Sequence, residues 1–211
     1  MLVTGFEPFG CASTNPSARA VAALDGRTID GRRVVGVVLP VVFGAAPRML
    51  LRSIRRVRPE LVICIGEAGG RADLSLERVA INVDDARIAD NAGAQPIDRP
   101  VVSRGPVGYW STLPIKAIVD ALHAEQIAAS VSQTAGTFVC NHLFYALMHA
   151  LRDVRGVRGG FVHTPYLPEQ VTAKPGTPSM DLETIARALE IVIATSLVTG
   201  RDARVVGGAT H

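Results

Sequence analysis

The sequence predicts one α/β domain, an open α/β/α sandwich built on a largely parallel, twisted central sheet. Three observations carry that expectation. Short β-rich apolar runs alternate with helical patterns from end to end. The run Leu61 to Ile65 is continuously apolar, as suits a strand covered on both faces. No repeat, low-complexity tract or linker divides residues 1–211, a length at which one domain buries roughly two-thirds of its unfolded surface.

In order, Leu2 to Thr4 reads as a strand stub. Asn15-Pro16 reads as an N-cap with proline at the first helical position, and Gly26 as the matching stop. Val34 to Val42 is a strand, Ala46 to Val57 a basic helix, and Leu74 to Val83 a partly alternating strand that carries Glu77. Asp84 to Gly108 is polar and broken by Gly and Pro, long enough to suggest a binding loop or a protruding hairpin. Ile115 to Glu125 is helical and Ala128 to Ser132 a strand. Asn141 to Leu151 is a helix with Leu143, Leu147 and Leu151 on one face. Gly160 to His163 is a strand, and Asp181 to Thr199 a last helix capped by Ser179 and stopped by Gly200. Parallel sheets gather their sites at the carboxyl ends of strands, which points to the segments after Thr4, Ile65, Ser132 and His163.

Bulk properties exclude several function classes. The net charge of +3 is spread out, and its densest cluster, Arg52, Arg55, Arg56 and Arg58, has no interleaved aromatics, so it reads as a solvated helix face and not a nucleic-acid surface. The richest apolar stretch, Leu182 to Val198, contains Glu183, Arg187 and Glu190, which argues against a membrane span. A strand-like run beginning at Leu2 leaves no room for a signal peptide. Three cysteines without a CxxC pair fit reduced thiols in a cytoplasm better than a disulfide framework.

Cys140 is the sharpest chemical candidate. It follows the glycine-containing Ala135 to Val139 segment at the start of a helix, where the macrodipole and free N–H groups favour a thiolate and can hold an oxyanion. The alternative is an inert buried thiol, which is how Cys64 reads in mid-strand. Cys11 lies in a loop with no evident base. A base belongs at a strand's carboxyl end, where His163 falls, although a histidine there can equally serve the backbone. His142 is two residues from Cys140 and points elsewhere on the helix. His142 and His149 make a weak metal pair, His123 reads as a surface residue, and His211 is the terminus. Glu77, in an apolar-leaning strand, is the candidate to fix the tautomer of the base, unless Glu77-Arg78 is an exposed edge.

Four segments, taken together, resemble the pyroglutamyl peptidase type I (pyrrolidone-carboxylate peptidase) family over essentially the whole chain. They are Thr4 to Gly10 with Asn15-Pro16-Ser17, Glu77 to Asn82 with Asp85 to Ile88 and Asp90-Asn91-Gly93, Gly136 to Leu143, and Gly159 to Tyr166. The resemblance implies an open α/β/α sandwich, commonly a homotetramer, that cleaves peptides with an N-terminal pyroglutamate and requires no metal or cofactor. It implies Cys140 as nucleophile, His163 as base and Glu77 as the residue holding it. It also implies Phe6 and Phe9 around the lactam ring, with Phe138, Val139 and Ile88 in the pocket and Arg87 near the oxyanion. Glu67 stands where many members of the family have glutamine. A carboxylate there can accept the lactam N–H, or repel the oxyanion and raise nearby pKa values. Another small-amide cysteine hydrolase, or a non-catalytic binding protein with the same pocket, remains open at this point.

Overall fold

Successive residues of the run Leu61–Glu67 point to opposite faces, and this alternation divides the molecule into two cores. Leu61, Ile63 and Ile65 enter one core, and Val62 and Cys64 enter the other. The computed structural model describes residues 1–208, so His211 lies outside the described residues. In chain order its elements are β1 (Leu2–Phe6), α1 (Pro16–Leu24), β2 (Thr28–Ile29), β3 (Arg32–Arg33), β4 (Val35–Leu39), α2 (Ala45–Val57), β5 (Leu61–Glu67), β6 (Leu74–Glu77) and β7 (Val79–Ile81). There follow β8 (Gly108–Trp110), α3 (Ile115–Ala124), β9 (Ala129–Ser132), α4 (Val139–Leu151), β10 (Arg158–Thr164), a 3-10 turn at Pro168–Gln170, and α5 (Leu182–Val198).

The central sheet has the order β4-β1-β5-β10-β6-β9, parallel throughout except where β10 meets β6. The α/β/α sandwich with a largely parallel sheet is therefore as expected. Helices α1, α3 and α5 cover one face through Val21, Leu24, Ile118, Leu122, Ile185 and Leu189. Helices α2 and α4 cover the other through Leu50, Leu143, Phe144 and Leu147. No helix among the described residues is long and apolar enough to cross a membrane. The four clustered arginines of and just after α2 are all exposed, as a solvated face requires.

Several boundaries differ from expectation for local reasons. The expected strand Leu74 to Val83 is two strands in two sheets. At Arg78 the backbone N–H turns to the Ser132 carbonyl while the Arg78 carbonyl takes the Ser111 N–H, so the chain leaves the main sheet. It then pairs as β7 with β8, which makes residues 82–107 the crown of a hairpin. Asp181, not Ser179, caps α5: its carboxylate accepts the Thr184 N–H at 2.8 Å, whereas Ser179 is bridged to Tyr166. Helix α4 starts two residues early, at Val139. At the start of α1, Asn15 Oδ1 accepts the Ser17 N–H at 3.0 Å, the cap that Asn15-Pro16 promised.

Candidate active site

Strand register brings the first two candidates together. Glu77 ends β6 opposite Phe161, and His163 lies two residues further along β10 on the same face, a diagonal neighbour. His163 Nδ1 donates to Glu77 Oε1 at 2.7 Å, which leaves Nε2 as the acceptor of the ring. Glu77 is 0 % exposed and His163 4 %. A carboxylate so buried requires a compensating charge, and Arg71 supplies it at 2.8 Å on the same oxygen. Arg78, one residue on, points to the opposite side and donates to the Gly207 carbonyl. The exposed-edge alternative for Glu77-Arg78 is thereby overturned.

The thiol arrives from the other layer. Phe138 holds an extended backbone before α4, and no side chain among the described residues caps the helix. The first-turn N–H groups around Cys140 are thus available as oxyanion donors. Cys140 Sγ rests against Gly66, where an added Cβ would lie 2.9 Å from the sulfur. Gly66 is the parallel-ladder partner of His163, so thiol and imidazole share one face over adjacent strands. The ring of Phe161, its centroid 4.8 Å from that of His163, packs the base from below.

Burial pushes the Cys140 thiol up to about 12, with Glu77 and Glu67 adding to the rise and Arg71 opposing it. Burial here works against the thiolate that the helix start favours. Cys140 is nonetheless not sealed in: part of it opens on a slot whose walls are Phe6, Phe9, Val41, Phe138 and Val139. Asn15 and Glu67 bring the slot's other polar side chains. Phe9 and Phe138 face each other at 6.2 Å, and Phe43 braces Phe138 edge-on at 5.4 Å. Burial raises the Glu67 carboxyl, opposed by the hydrogen bond from Gln170 at 2.8 Å and by Lys174.

Arg87 and Ile88 are not brought to this slot. Both are exposed, because Ala86 and Asp90 fold back onto the Pro96 and Ala94 carbonyls and leave residues 87–89 on the outside of the loop. The other candidates have separate tasks. His142 donates from Nδ1 to Asp84 at 2.8 Å and accepts the Gly44 N–H at Nε2, whereas His149 pairs with the Tyr109 hydroxyl. Cys64 is buried, Cys11 and His123 are exposed.

Three residues near the site escape a reading of the sequence. Arg71 lies in a glycine-rich run, and only the need of Glu77 for a partner hinted at it. Asn141, next to the thiol, is wholly buried and makes three hydrogen bonds of 2.9–3.0 Å with the backbone of Ile81 and Val83, pinning α4 to β7. Gln170 accepts the Leu167 N–H on its oxygen and so turns its amide nitrogen to Glu67.

Residues 1–199 match a family model described as pyroglutamyl peptidase. A pyrrolidone-carboxylate peptidase of Klebsiella pneumoniae is 56% identical over 100% of this chain and 99% of its own. One from Bacillus mycoides is 52% identical over the same shares. Among solved structures, pyroglutamyl peptidase I of Bacillus amyloliquefaciens superposes with a TM-score of 0.93 at 44% identity, covering 96% of this chain and 98% of that one. A mutant pyrrolidone carboxyl peptidase of the hyperthermophile Pyrococcus furiosus gives 0.90 at 42%, covering 93% and 97%.

Proposed function

Because the chain belongs to the pyroglutamyl peptidase family, we propose that it hydrolyses the amide bond after an N-terminal pyroglutamyl residue, with Cys140 as nucleophile, His163 as base and Glu77 as orienting carboxylate. The observation that carries this reading is the bond from His163 Nδ1 to a fully buried Glu77, beside a thiol resting on the ladder partner of that histidine.

Burial favours the neutral thiol in the free site. His163 Nε2 therefore takes its proton as sulfur attacks the carbonyl, and the imidazolium formed is stabilised by Glu77. The tetrahedral oxyanion is received by the N–H groups at the start of α4. His163 returns the proton to the leaving amine, the C–N bond breaks, and a pyroglutamyl thioester remains. Water, deprotonated by His163, then releases pyroglutamate and restores the thiol. The lactam has no free amine, so its slot needs no anionic anchor, and the apolar walls Phe6, Phe9, Phe138 and Val139 suit a flat ring. Glu67 would meet its polar edge. Arg87 and Ile88, exposed outside the slot, have no part in the steps proposed.

The same reading makes residues 1–211 one catalytic domain of a cytoplasmic homotetramer that works without metal or cofactor. Three free cysteines, one of them exposed, support a reducing compartment. Sedimentation of the purified chain tests the tetramer. The decisive experiment is Cys140→Ser on a pyroglutamyl-arylamide, with iodoacetamide treatment of the unaltered protein beside it. Loss of turnover in both supports the assignment, and turnover that survives the substitution ends it.

A further inference from the structure

The guanidinium of Arg71 touches both halves of the site. Its Nη1 donates to Glu77 Oε1 at 2.8 Å, on the oxygen that also takes the His163 N–H. Its Nη2 donates to the Thr134 carbonyl at 3.2 Å, and Thr134 belongs to the loop that leads directly into α4 and Cys140. Around Thr134 the loop is also tied within itself: Ser132 Oγ donates to the Thr134 carbonyl at 3.0 Å, and Thr134 Oγ1 accepts the Gly136 N–H at 3.0 Å, while further on Thr137 exchanges hydrogen bonds with the Asp85 backbone. One planar fork thus joins the strand that carries the orienting carboxylate to the loop that delivers the nucleophile.

We propose that Arg71 is a positioning residue that sets the Glu77–His163 pair and the Cys140 loop in register with one another. This rests on the catalytic reading above. Two features give it content beyond packing. Both donors of the pair converge on Oε1 of Glu77, while Oε2 has no hydrogen-bond partner among the described residues. Arg71 therefore decides which oxygen faces the imidazole. Arg71 is also the cation opposing the carboxylates of Glu77 and Glu67, which face the thiol together with Cys64.

Substitution separates these roles. Arg71→Met is expected to lower kcat roughly a hundredfold through misplacement of base against thiol, with KM nearly unchanged because Arg71 does not line the slot. Loss of the cation leaves Glu77 and Glu67 unopposed at the thiol, which disfavours the thiolate. Arg71→Lys restores the charge, since an ammonium can face Glu77, but not kcat, since one point charge cannot also span to Thr134. Iodoacetamide alkylation of Cys140, followed against pH without substrate, moves to higher pH in Arg71→Met. That measurement stands even if the unaltered protein fails to cleave the arylamide, which would sink the catalytic reading alone. The inference is overturned if Arg71→Met keeps both kcat and the alkylation profile of the unaltered protein. It is equally overturned if Arg71→Met and Arg71→Lys lose thermal stability alike while the alkylation profile stays in place.

Discussion

His163 Nδ1 and Glu77 Oε1 meet at 2.7 Å across an antiparallel pair of strands, in a place from which Glu77 has no access to water. In the proposed mechanism the carboxylate holds the ring in the tautomer that leaves Nε2 free and stabilises the imidazolium when it forms. Glu77→Gln keeps the shape and removes the charge. We expect kcat to fall by about two to four orders of magnitude, while the thermal midpoint drops much less than that loss would suggest. Steady-state kinetics beside a melting curve checks this. An unchanged rate would reduce Glu77 to a structural group.

The two inner thiols make stability sensitive to alkali. Burial pushes both Cys64 and Cys140 up to about 12 from an ordinary value of 9.0. Below about pH 9 both thiols are protonated whether the chain is folded or not, and stability is intact. Above it the unfolded chain ionises first, so stability falls as pH rises towards 12, with a limiting slope of about 1.4 kcal/mol per pH unit for each thiol. Urea denaturation at a series of alkaline pH values should reveal this slope. Cys64→Ala should be less stable at neutral pH but lose stability more gently with alkali, and an equal slope would refute the assignment.

The sequence made the layers legible because apolar runs report burial directly, as Leu61 to Ile65 does for a strand with a core on each side. It also made Cys140 and His163 legible, because a helix start and a strand end are local features. What it hid depends on chains meeting. The direction of β6 against β10 leaves no trace in a hydrophobic pattern. The break at Arg78 is imposed by Ser132 at the end of β9 and by Ser111 just after β8. The high proton affinity of Cys140 comes from its surroundings, which a helix-start argument does not include. Arg71 is six residues before Glu77, but the pairing follows only once the turn after β5 is folded.

Gly66 is where the sheet makes room for the thiol. A Cβ on it would lie 2.9 Å from both Cys140 Sγ and the edge of the Phe161 ring. Gly66→Ala should therefore cost about 1–3 kcal/mol through overpacking, and should displace sulfur from His163 enough to lower kcat about tenfold or more. Calorimetry and the arylamide assay read the two effects separately. A variant with full activity would mean that Cys140 works from another position.

Asn141 anchors the helix that carries Cys140. Its wholly buried amide exchanges hydrogen bonds with the Ile81 N–H and with the Ile81 and Val83 carbonyls. Asn141→Ala leaves those backbone groups without partners, at about 1–3 kcal/mol for each one that stays buried. The expected result is a large drop in the denaturation midpoint, together with reduced turnover at temperatures where the variant is still folded. Loss of stability with turnover fully kept would show that α4 stays in place without this anchor.

Glu67 is the remaining lever on the thiol. Its carboxyl accepts from Gln170 beside the slot, and its negative charge is one of the causes that raise Cys140. Glu67→Gln keeps an oxygen for the Gln170 amide, so stability should change little. Removing the charge should move iodoacetamide alkylation of Cys140 to lower pH. It should also raise kcat/KM on a neutral pyroglutamyl-arylamide, because the oxyanion then develops beside one carboxylate fewer. Burial raises the Glu67 carboxyl itself, opposed by Gln170 and Lys174, so the charge removed is greatest towards alkaline pH. The gain should accordingly grow as pH rises. If alkylation and turnover follow the same profiles in both proteins, Glu67 is neutral throughout the working range and serves the slot by hydrogen bonding alone.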